Sequence, residues 1–379
     1  MEKLLAFLLN NTDGIKMSNK LSHSSVNKFS DCPTAWRLHY VERLRGTTQS
    51  AALLFGTAID KAVEDLVLTR NLEDAKKTFL AYWTSAEING VNTELKTMPD
   101  LVYAANDMDI ELLDTSLDPI FFNKDIIENI EQKKKEVGFN NLPLGDKVFY
   151  NTINWYIAKK RGELMLEAVN NEILPKLKRV HSTQERIDLT NDTGDSVVGY
   201  VDLTADYVGY DDTIIFDFKT STRAYEQDSV KVSPQLALYV HALSEKYKTR
   251  RAGFIVLSKQ IQKNRKKICS VCGNDGTGGR HKTCDAMISE PMDGPGTGKP
   301  YRCNGEWIET INPKAKIDVI IDEIPEQLEN IVLENMDATN KMISNGIFTR
   351  NLNACQKPYG RCIYWDKCYN NSDKGLIKV

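Results

Sequence analysis

No apolar run in the 379 residues approaches the roughly 20 needed for a helix to span a bilayer, so the sequence gives no ground for a membrane-spanning helix. The opening MEKLLAFLLNNTDG is briefly apolar but lacks the core length and small-residue cleavage site of a secretion signal. Cytoplasmic residence is the expectation. Basic charge is not in excess: 49 Lys and Arg stand against 52 Asp and Glu, net −3. That excludes a globally basic nucleic-acid binder and leaves contact with polyanions to local patches. Two glycines four residues apart followed by Lys and Ser or Thr do not occur, so the chain encodes no P-loop ATP motor. The His-x-Glu pattern of zinc deaminases is missing too. What remains, 41% hydrophobic and 27% charged residues, is globular, with room for one large domain or two to three smaller ones.

Eight cysteines in such a chain argue for metal before disulfides. Four lie where the composition shifts. KQIQKNRKK, five basic residues in nine, precedes Cys269 and Cys272, and a glycine- and proline-rich stretch separates Cys284 from Cys303. The Cys-x-x-Cys knuckle preorganises two thiolates for one tetrahedral zinc, and Cys284 with Cys303 completes a closed set; His281 is an alternative ligand. Such a polar segment has no core of its own, so metal is needed to hold it. Its role is structural, or the basic run grips phosphate.

The chemistry concentrates between Val198 and Leu243. In TIIFDFKTS, strand alternation puts Ile215, Asp217 and Lys219 on one face and Ile214, Phe216 and Phe218 on the other. A strand apolar on one face and ending in opposite charges on the other marks a conflict that function usually explains. Upstream, VVGYVDL puts Val198, Tyr200 and Asp202 on one face, so Asp202 and Asp217 can meet on neighbouring strands. Paired carboxylates are hard oxygen ligands that suit Mg²⁺ or Mn²⁺. Lys219 would stabilise charge developing on a phosphoryl group or orient the water. Downstream, Gln235 and Tyr239 stand one turn apart on a helix expected over 233–247. STQERIDL before this region and RRAGFIVLSKQ after it read as further strands, giving the order β-β-β-α-β.

Gly199 with Asp202, then Asp217-Phe218-Lys219, then Gln235 with Tyr239 resemble, in order and spacing, the RecB-like branch of the PD-(D/E)XK nuclease superfamily. The resemblance covers about Leu21 to Tyr369. Similar members include the CRISPR-associated exonucleases, the AddB nuclease region and phage recombination nucleases. It implies an α/β fold, a mixed central sheet flanked by helices with a helical insertion. It further implies Mg²⁺- or Mn²⁺-dependent hydrolysis of DNA, probing single-stranded or duplex ends as an exonuclease. The setting would be recombination, repair or phage DNA processing, in a bacterial or phage-infected cytoplasm, with a helicase or recombination partner. Gln235 and Tyr239 would orient Lys219 or the phosphate, and Glu185 would be a further acid near the metal. In ALLFGTAIDKAVEDLV, read as a helix entered through Gly56, Asp60 stands where the family usually has a metal-binding His. An Asp can still ligate the ion or its water. The departure also favours the alternative, an inactive nuclease-fold module for DNA binding or assembly, against which the intact Asp202, Asp217 and Lys219 argue.

The resemblance extends to the termini. LSHSSVNKFSDCPTAWRLHY reads as a Ser-capped helix, a break at Cys32-Pro33, and a second helix with Trp36 and Tyr40. In iron–sulfur members of the family this Cys and three near the C-terminus hold a [4Fe–4S] cluster. Cys32, Cys355, Cys362 and Cys368 would do so here, although six residues separate the first closing pair where the family has two. Zinc in the same pocket, or no metal, are the alternatives. Tyr359, Arg361, Tyr364, Trp365 and Lys367 would pack around the cluster or stack on single-stranded DNA. The expected layout is a leader over 1–20, the first nuclease segment over 21–70 and a helical region over 71–180. The catalytic core follows over 181–258, a zinc-ribbon-like insert over 259–310, and a long helix with the closing cysteines over 311–379.

Overall fold

The computed structural model of the chain describes residues 20–46, 51–88, 91–94, 124–138, 141–190, 196–277, 282–289, 300–357 and 360–379. The expected leader (save Lys20), His281 and Tyr359 therefore lie outside the described residues.

Helices α1 (His23–Asp31) and α2 (Pro33–Tyr40) meet at Cys32. Ser22 caps α1 by accepting the Ser25 amide at 3.2 Å, and Pro33 opens α2, where its missing N–H costs nothing. In α3 (Ala51–Thr69), Leu54, Phe55, Ala58, Ile59, Ala62, Val63 and Leu66 are buried at helical spacing. This helix starts before Gly56, which lies inside it and not at its entrance. Next come α4 (Leu72–Thr84), α5 (Lys124–Val137) and α6 (Leu144–Ala168). Between α4 and α5, Ser85–Ile88 pairs with Val91–Glu94 as a small hairpin that helical periodicity did not announce.

Five long strands follow: β1 (Leu177–Thr190), β2 (Ser196–Tyr207), β3 (Thr213–Ser221), β4 (Arg251–Cys269) and β5 (Trp307–Glu323). They lie side by side in chain order. Every neighbouring pair is antiparallel except β3 and β4, which are parallel and joined by α7 (Pro234–Tyr247). Lys20–Leu21 adds a short sixth strand, parallel to β2 at Ser196 and Val197. The expected β-β-β-α-β order is thus present, with β5 as an addition the sequence did not disclose. Helix α8 (Glu326–Ser344) and the short α9 (Trp365–Asn370) follow, and Leu376–Lys378 then pairs antiparallel with Leu44–Gly46.

The mixed sheet is flanked on both faces, as in an α/β fold. Leu203, Ala205, Ile214, Phe216, Ile255 and Leu257 pack towards α3, α4 and α6. Val201, Ile215, Ala252, Phe254, Val256 and Ile320 pack towards α1, α7 and α8. β3 alternates as its sequence indicates. β2 does not: Val197 and Val201 face the α7 side, whereas Leu203, Ala205 and Tyr207 face the α3 side. The switch falls at Asp202, opposite Gln184, whose φ of 47° is left-handed. Asp202 therefore does not share a simple face with Val198 and Tyr200, the latter being exposed.

Close packing between α4 and α6 depends on Gly162, where an added Cβ would sit 2.2 Å from the Phe79 ring. Gly162→Ala is expected to cost about 1–3 kcal/mol by overpacking. Gly145→Ala in the same helix, with nothing within 4 Å of the new methyl, should be neutral or stabilising. Thermal melting of the two variants checks the contrast.

Candidate active site

The β2–β3 ladder runs only from Leu203 opposite Phe216 to Asp206 opposite Thr213. One step further the strands part, and a side chain takes over the backbone's task. Asp202 Oδ2 accepts the Phe218 amide at 2.8 Å, while Oδ1 accepts from Gln184 Nε2 at 3.3 Å. The loss of pairing that a sheet would ordinarily avoid thus leaves a carboxylate at the opening.

Asp217, on the adjoining strand, is 1% exposed. Its Oδ1 accepts from Gln235 Nε2 at 2.8 Å, and its Oδ2 lies 2.7 Å from Lys219 Nζ. No donor among the described residues meets that Oδ2 at hydrogen-bonding angles. Lys219 in turn donates to Gln235 Oε1 at 2.9 Å, and Gln235 Nε2 also donates to Tyr239 Oη at 2.7 Å. Gln235 is held by the start of α7, where Ser233 accepts the Leu236 amide at 3.3 Å and Pro234 fixes the first turn. Gly199 makes room for Tyr239: a Cβ there would lie 3.4 Å from Tyr239 Cε1 and 3.2 Å from Ile187 Cγ1.

Asp60 comes from the opposite side, on α3. It lines a cleft of about 430 Å³ with Asp202, Asp217, Lys219 and Gln235; Gly56, Thr220 and Leu257 are also part of its wall. Asp60, Asp202, Asp217, Lys219 and Gln235 therefore converge here, with Tyr239 just behind Gln235. The three carboxylates share the cleft without closing into a compact triad. Burial, and then the Asp202 charge, lift Asp60 to about 7. Burial, and then Asp217, lift Asp202 to about 7 as well. Burial raises Asp217 against the pull of Lys219. For Lys219, burial opposes the charge, but Asp217 and Asp202 hold the ammonium above the usual lysine range.

The family model of the PD-(D/E)XK nuclease superfamily matches residues 20–109 and 124–369. The chain belongs to the PD-(D/E)XK nuclease superfamily. Members of this superfamily are typically metal-dependent nucleases that hydrolyse phosphodiester bonds, and the cleft of this chain suits a divalent ion on its own terms. Its donors are hard carboxylate oxygens whose mutual repulsion Lys219 offsets only in part, and Asp217 Oδ2, though paired with Lys219, accepts no well-aligned hydrogen bond among the described residues. No curated protein matches the chain.

Glu185 corrects one expectation. It does not line the nuclease cleft; it accepts from Ser182 Oγ and Tyr247 Oη, each at 2.6 Å, and pairs with Lys246 near the end of α7. Gln184 and the Phe218 amide, which the sequence did not mark, are what hold Asp202.

The two cysteine sets differ in geometry. Cys269, Cys272, Cys284 and Cys303 bring their Sγ atoms within 4.8 Å of one another, with Cys269–Cys303 at 3.5 Å and Cys272–Cys284 at 3.6 Å. Zinc–sulfur bonds of about 2.3 Å at tetrahedral angles require S···S near 3.8 Å. Backbone amides, first that of Cys272 and then that of Val271, draw the Cys269 thiol down to about 6. Cys32, Cys355, Cys362 and Cys368 line a separate cavity of about 150 Å³ with Lys28 and Arg350 at its edge. No three of these sulfurs approach as closely as the first set. Burial raises the Cys362 and Cys368 thiols, and Cys32 and Cys355 add to it. Backbone contacts bring this set together: Thr34 N–H donates to Thr349 O at 3.1 Å and Asn351 Nδ2 to Asp31 O at 2.8 Å. Tyr364 Oη donates to Leu44 O at 3.0 Å. Tyr364 is therefore buried, and Trp365 stacks on Tyr369 at 4.1 Å.

The raised carboxylates have a sign that can be tested. Without a divalent ion, folded Asp60 and Asp202 keep protons that the unfolded chain releases from 3.8 upward. Their contribution to stability is full below about pH 4 and is lost as pH rises to about 7. Asp202→Asn, neutral throughout and still able to accept the Phe218 amide, should melt above the wild type in chelator at about pH 8. The gap should shrink towards about pH 5; melting curves across this range, with a gap independent of pH, would contradict the raised values.

Proposed function

We propose that the cleft hydrolyses DNA phosphodiester bonds using Mg²⁺ or Mn²⁺ held by Asp202 and Asp217, with Asp60 ligating the ion or its water. The observation that carries this reading is the continuous chain of contacts Asp217–Lys219–Gln235–Tyr239 beside Asp202 in one cleft. The ion, when bound, polarises a phosphate oxygen and lowers the pKa of water. Lys219 remains protonated and so serves as a donor, neutralising charge that develops on the phosphoryl oxygens or orienting the attacking water. Gln235 fixes that ammonium with its carbonyl while its amide holds Asp217, so the pair keeps its direction when the cleft fills with phosphate. Tyr239, a neutral hydroxyl kept from ionising by burial, anchors the amide.

In the same reading, residues 181–258 form the catalytic core and 259–310 a zinc-binding insert held by Cys269, Cys272, Cys284 and Cys303. Cys32, Cys355, Cys362 and Cys368 hold a [4Fe–4S] cluster, with zinc as the alternative, a reading supported by the one cavity that all four line. Exonucleolytic action on DNA ends, in recombination, repair or phage DNA processing with a helicase-type partner, belongs to this proposal.

Asp217→Asn and Lys219→Ala should each lower Mn²⁺-dependent cleavage of end-labelled single-stranded and duplex DNA by at least about 10²-fold. Melting temperature and DNA affinity should change little. Cleavage that survives in either variant would end the assignment, and a folded, metal-loaded wild type that cuts no DNA would favour the inactive binding module. Anaerobically purified protein should be brown, with absorbance near ~400 nm, about four irons and one zinc. Colourless protein with two zincs would remove the cluster and keep the nuclease.

A further inference from the structure

β3 accompanies β4 only as far as Ser221 opposite Ser258. Beyond that point, among the described residues, β4 pairs with β5 in register from Ile261 opposite Ala315 to Cys269 opposite Trp307, and near the tip Ile268 also bridges to Asp275. The result is a two-stranded ribbon projecting from the catalytic sheet. Two strands alone are marginal in water, and the four-cysteine unit at the tip supplies the closure they lack. Gly305 belongs to that closure, since a Cβ there would lie 2.4 Å from Cys269 Sγ.

The ribbon is a basic island on an acidic chain. Residues 259–316 carry eleven Lys and Arg against six Asp and Glu, in a protein of net −3. Side chains of neighbouring strand residues point to opposite faces, so Lys266 lies on one face of the ribbon and Arg265 with Lys267 on the other. Arg265 and Lys266 are exposed and Lys267 half-exposed; Arg265 forms a 3.5 Å surface pair with Glu309. Arg302 and Lys282 at the tip are exposed too. The major groove of duplex DNA admits a two-stranded β-ribbon, with a phosphate wall on either side. Cations on both faces suit that channel, whereas a single strand presents only one line of phosphates.

β4 also fixes the distance. Leu257 lines the cleft, and Arg265 to Lys267 lie eight to ten residues further along the strand. A register shift at Ala315/Ile317 absorbs two of these residues, so at about 3.3 Å per residue the span is roughly 20–26 Å, or about 6–8 base pairs at 3.4 Å each. We propose that the outer ribbon of residues 265–269 and 307–311 lies in the major groove of duplex DNA, about 6–8 base pairs from the phosphate in the cleft. This deepens the nuclease reading and rests on DNA being its substrate.

The test compares the full-length, metal-loaded wild type with the triple variant Arg265→Glu, Lys266→Glu, Lys267→Glu. Zinc content and melting temperature serve as folding controls. Binding, by fluorescence anisotropy with Ca²⁺ in place of Mn²⁺, uses a duplex of about 30 base pairs, a hairpin of about five, and a single strand of about 30 nucleotides. The variant should bind the long duplex about tenfold or more weakly, with its salt slope reduced by about 2–3. Its affinity for the short hairpin, and its rate of cutting that hairpin, should be unchanged. Unaltered binding of the long duplex, or equal losses on long and short duplexes, overturns the ribbon assignment while leaving the cleft reading intact. A loss confined to the single strand overturns the duplex assignment. A wild type that neither binds nor cuts any of the three overturns both. Should the triple variant lose zinc, Lys266→Ala with Arg265→Ala repeats the comparison, expected to weaken long-duplex binding about threefold or more, with the same results overturning it.

Discussion

A carboxylate that water barely reaches, in the middle of a mixed sheet, is the constraint around which this structure is arranged. Removing the charge of Asp217 from water costs several kcal/mol unless partners compensate. One partner is Lys219, two residues on along the same strand face; the other is the Gln235 amide, brought in by the helix that crosses from β3 to β4. The parallel β3–β4 pair is therefore more than an architectural choice. Only a crossover connection lays a helix over this strand, and only its first turn reaches the pair of charges. Asp202 answers a second cost: where β2 and β3 separate, its side chain accepts the amide the ladder abandons.

Compensation is incomplete, and the incompleteness has chemical content. Asp60, Asp202 and Asp217 share one cleft with one ammonium, and burial holds all three above the ordinary carboxylate range. An arrangement selected for stability alone would use apolar residues of similar volume. Three acids for one base is an arrangement that awaits added positive charge.

Most of the cleft was legible because its residues obey short periods. Asp217 and Lys219 follow from strand alternation and Gln235 with Tyr239 from a single helical turn, so neither depends on distant geometry. The place of Asp60 came through resemblance, and its presence in the cleft depends on how α3 packs. What escaped was set by irregularity or by distance. The face switch at Asp202 requires a left-handed Gln184 on another strand, which no alternation rule contains. Glu185 was misjudged for the same reason, since past that residue its strand leads towards the end of α7. β5 was hidden by Pro313 and by charges alternating along an edge strand, where proline is tolerated. The first four cysteines were grouped by spacing and residue type and the other four through resemblance; in the fold the first four form a compact set and the other four line a separate cavity.

The joining of the termini has a consequence for how the protein is made. Asp31 and Leu44 receive hydrogen bonds from residues 320 positions later, and Lys20–Leu21 pairs with a strand that begins at Ser196. At about 5–20 residues per second, roughly 16–64 seconds of synthesis separate the two halves of that junction. During this interval the first helices have emerged with Phe29 and Trp36, which the finished fold buries, still lacking much of their cover. The segment that covers these helices is thus made long after them, and a chain that stalls short of Cys355 would leave them open to proteases and chaperones.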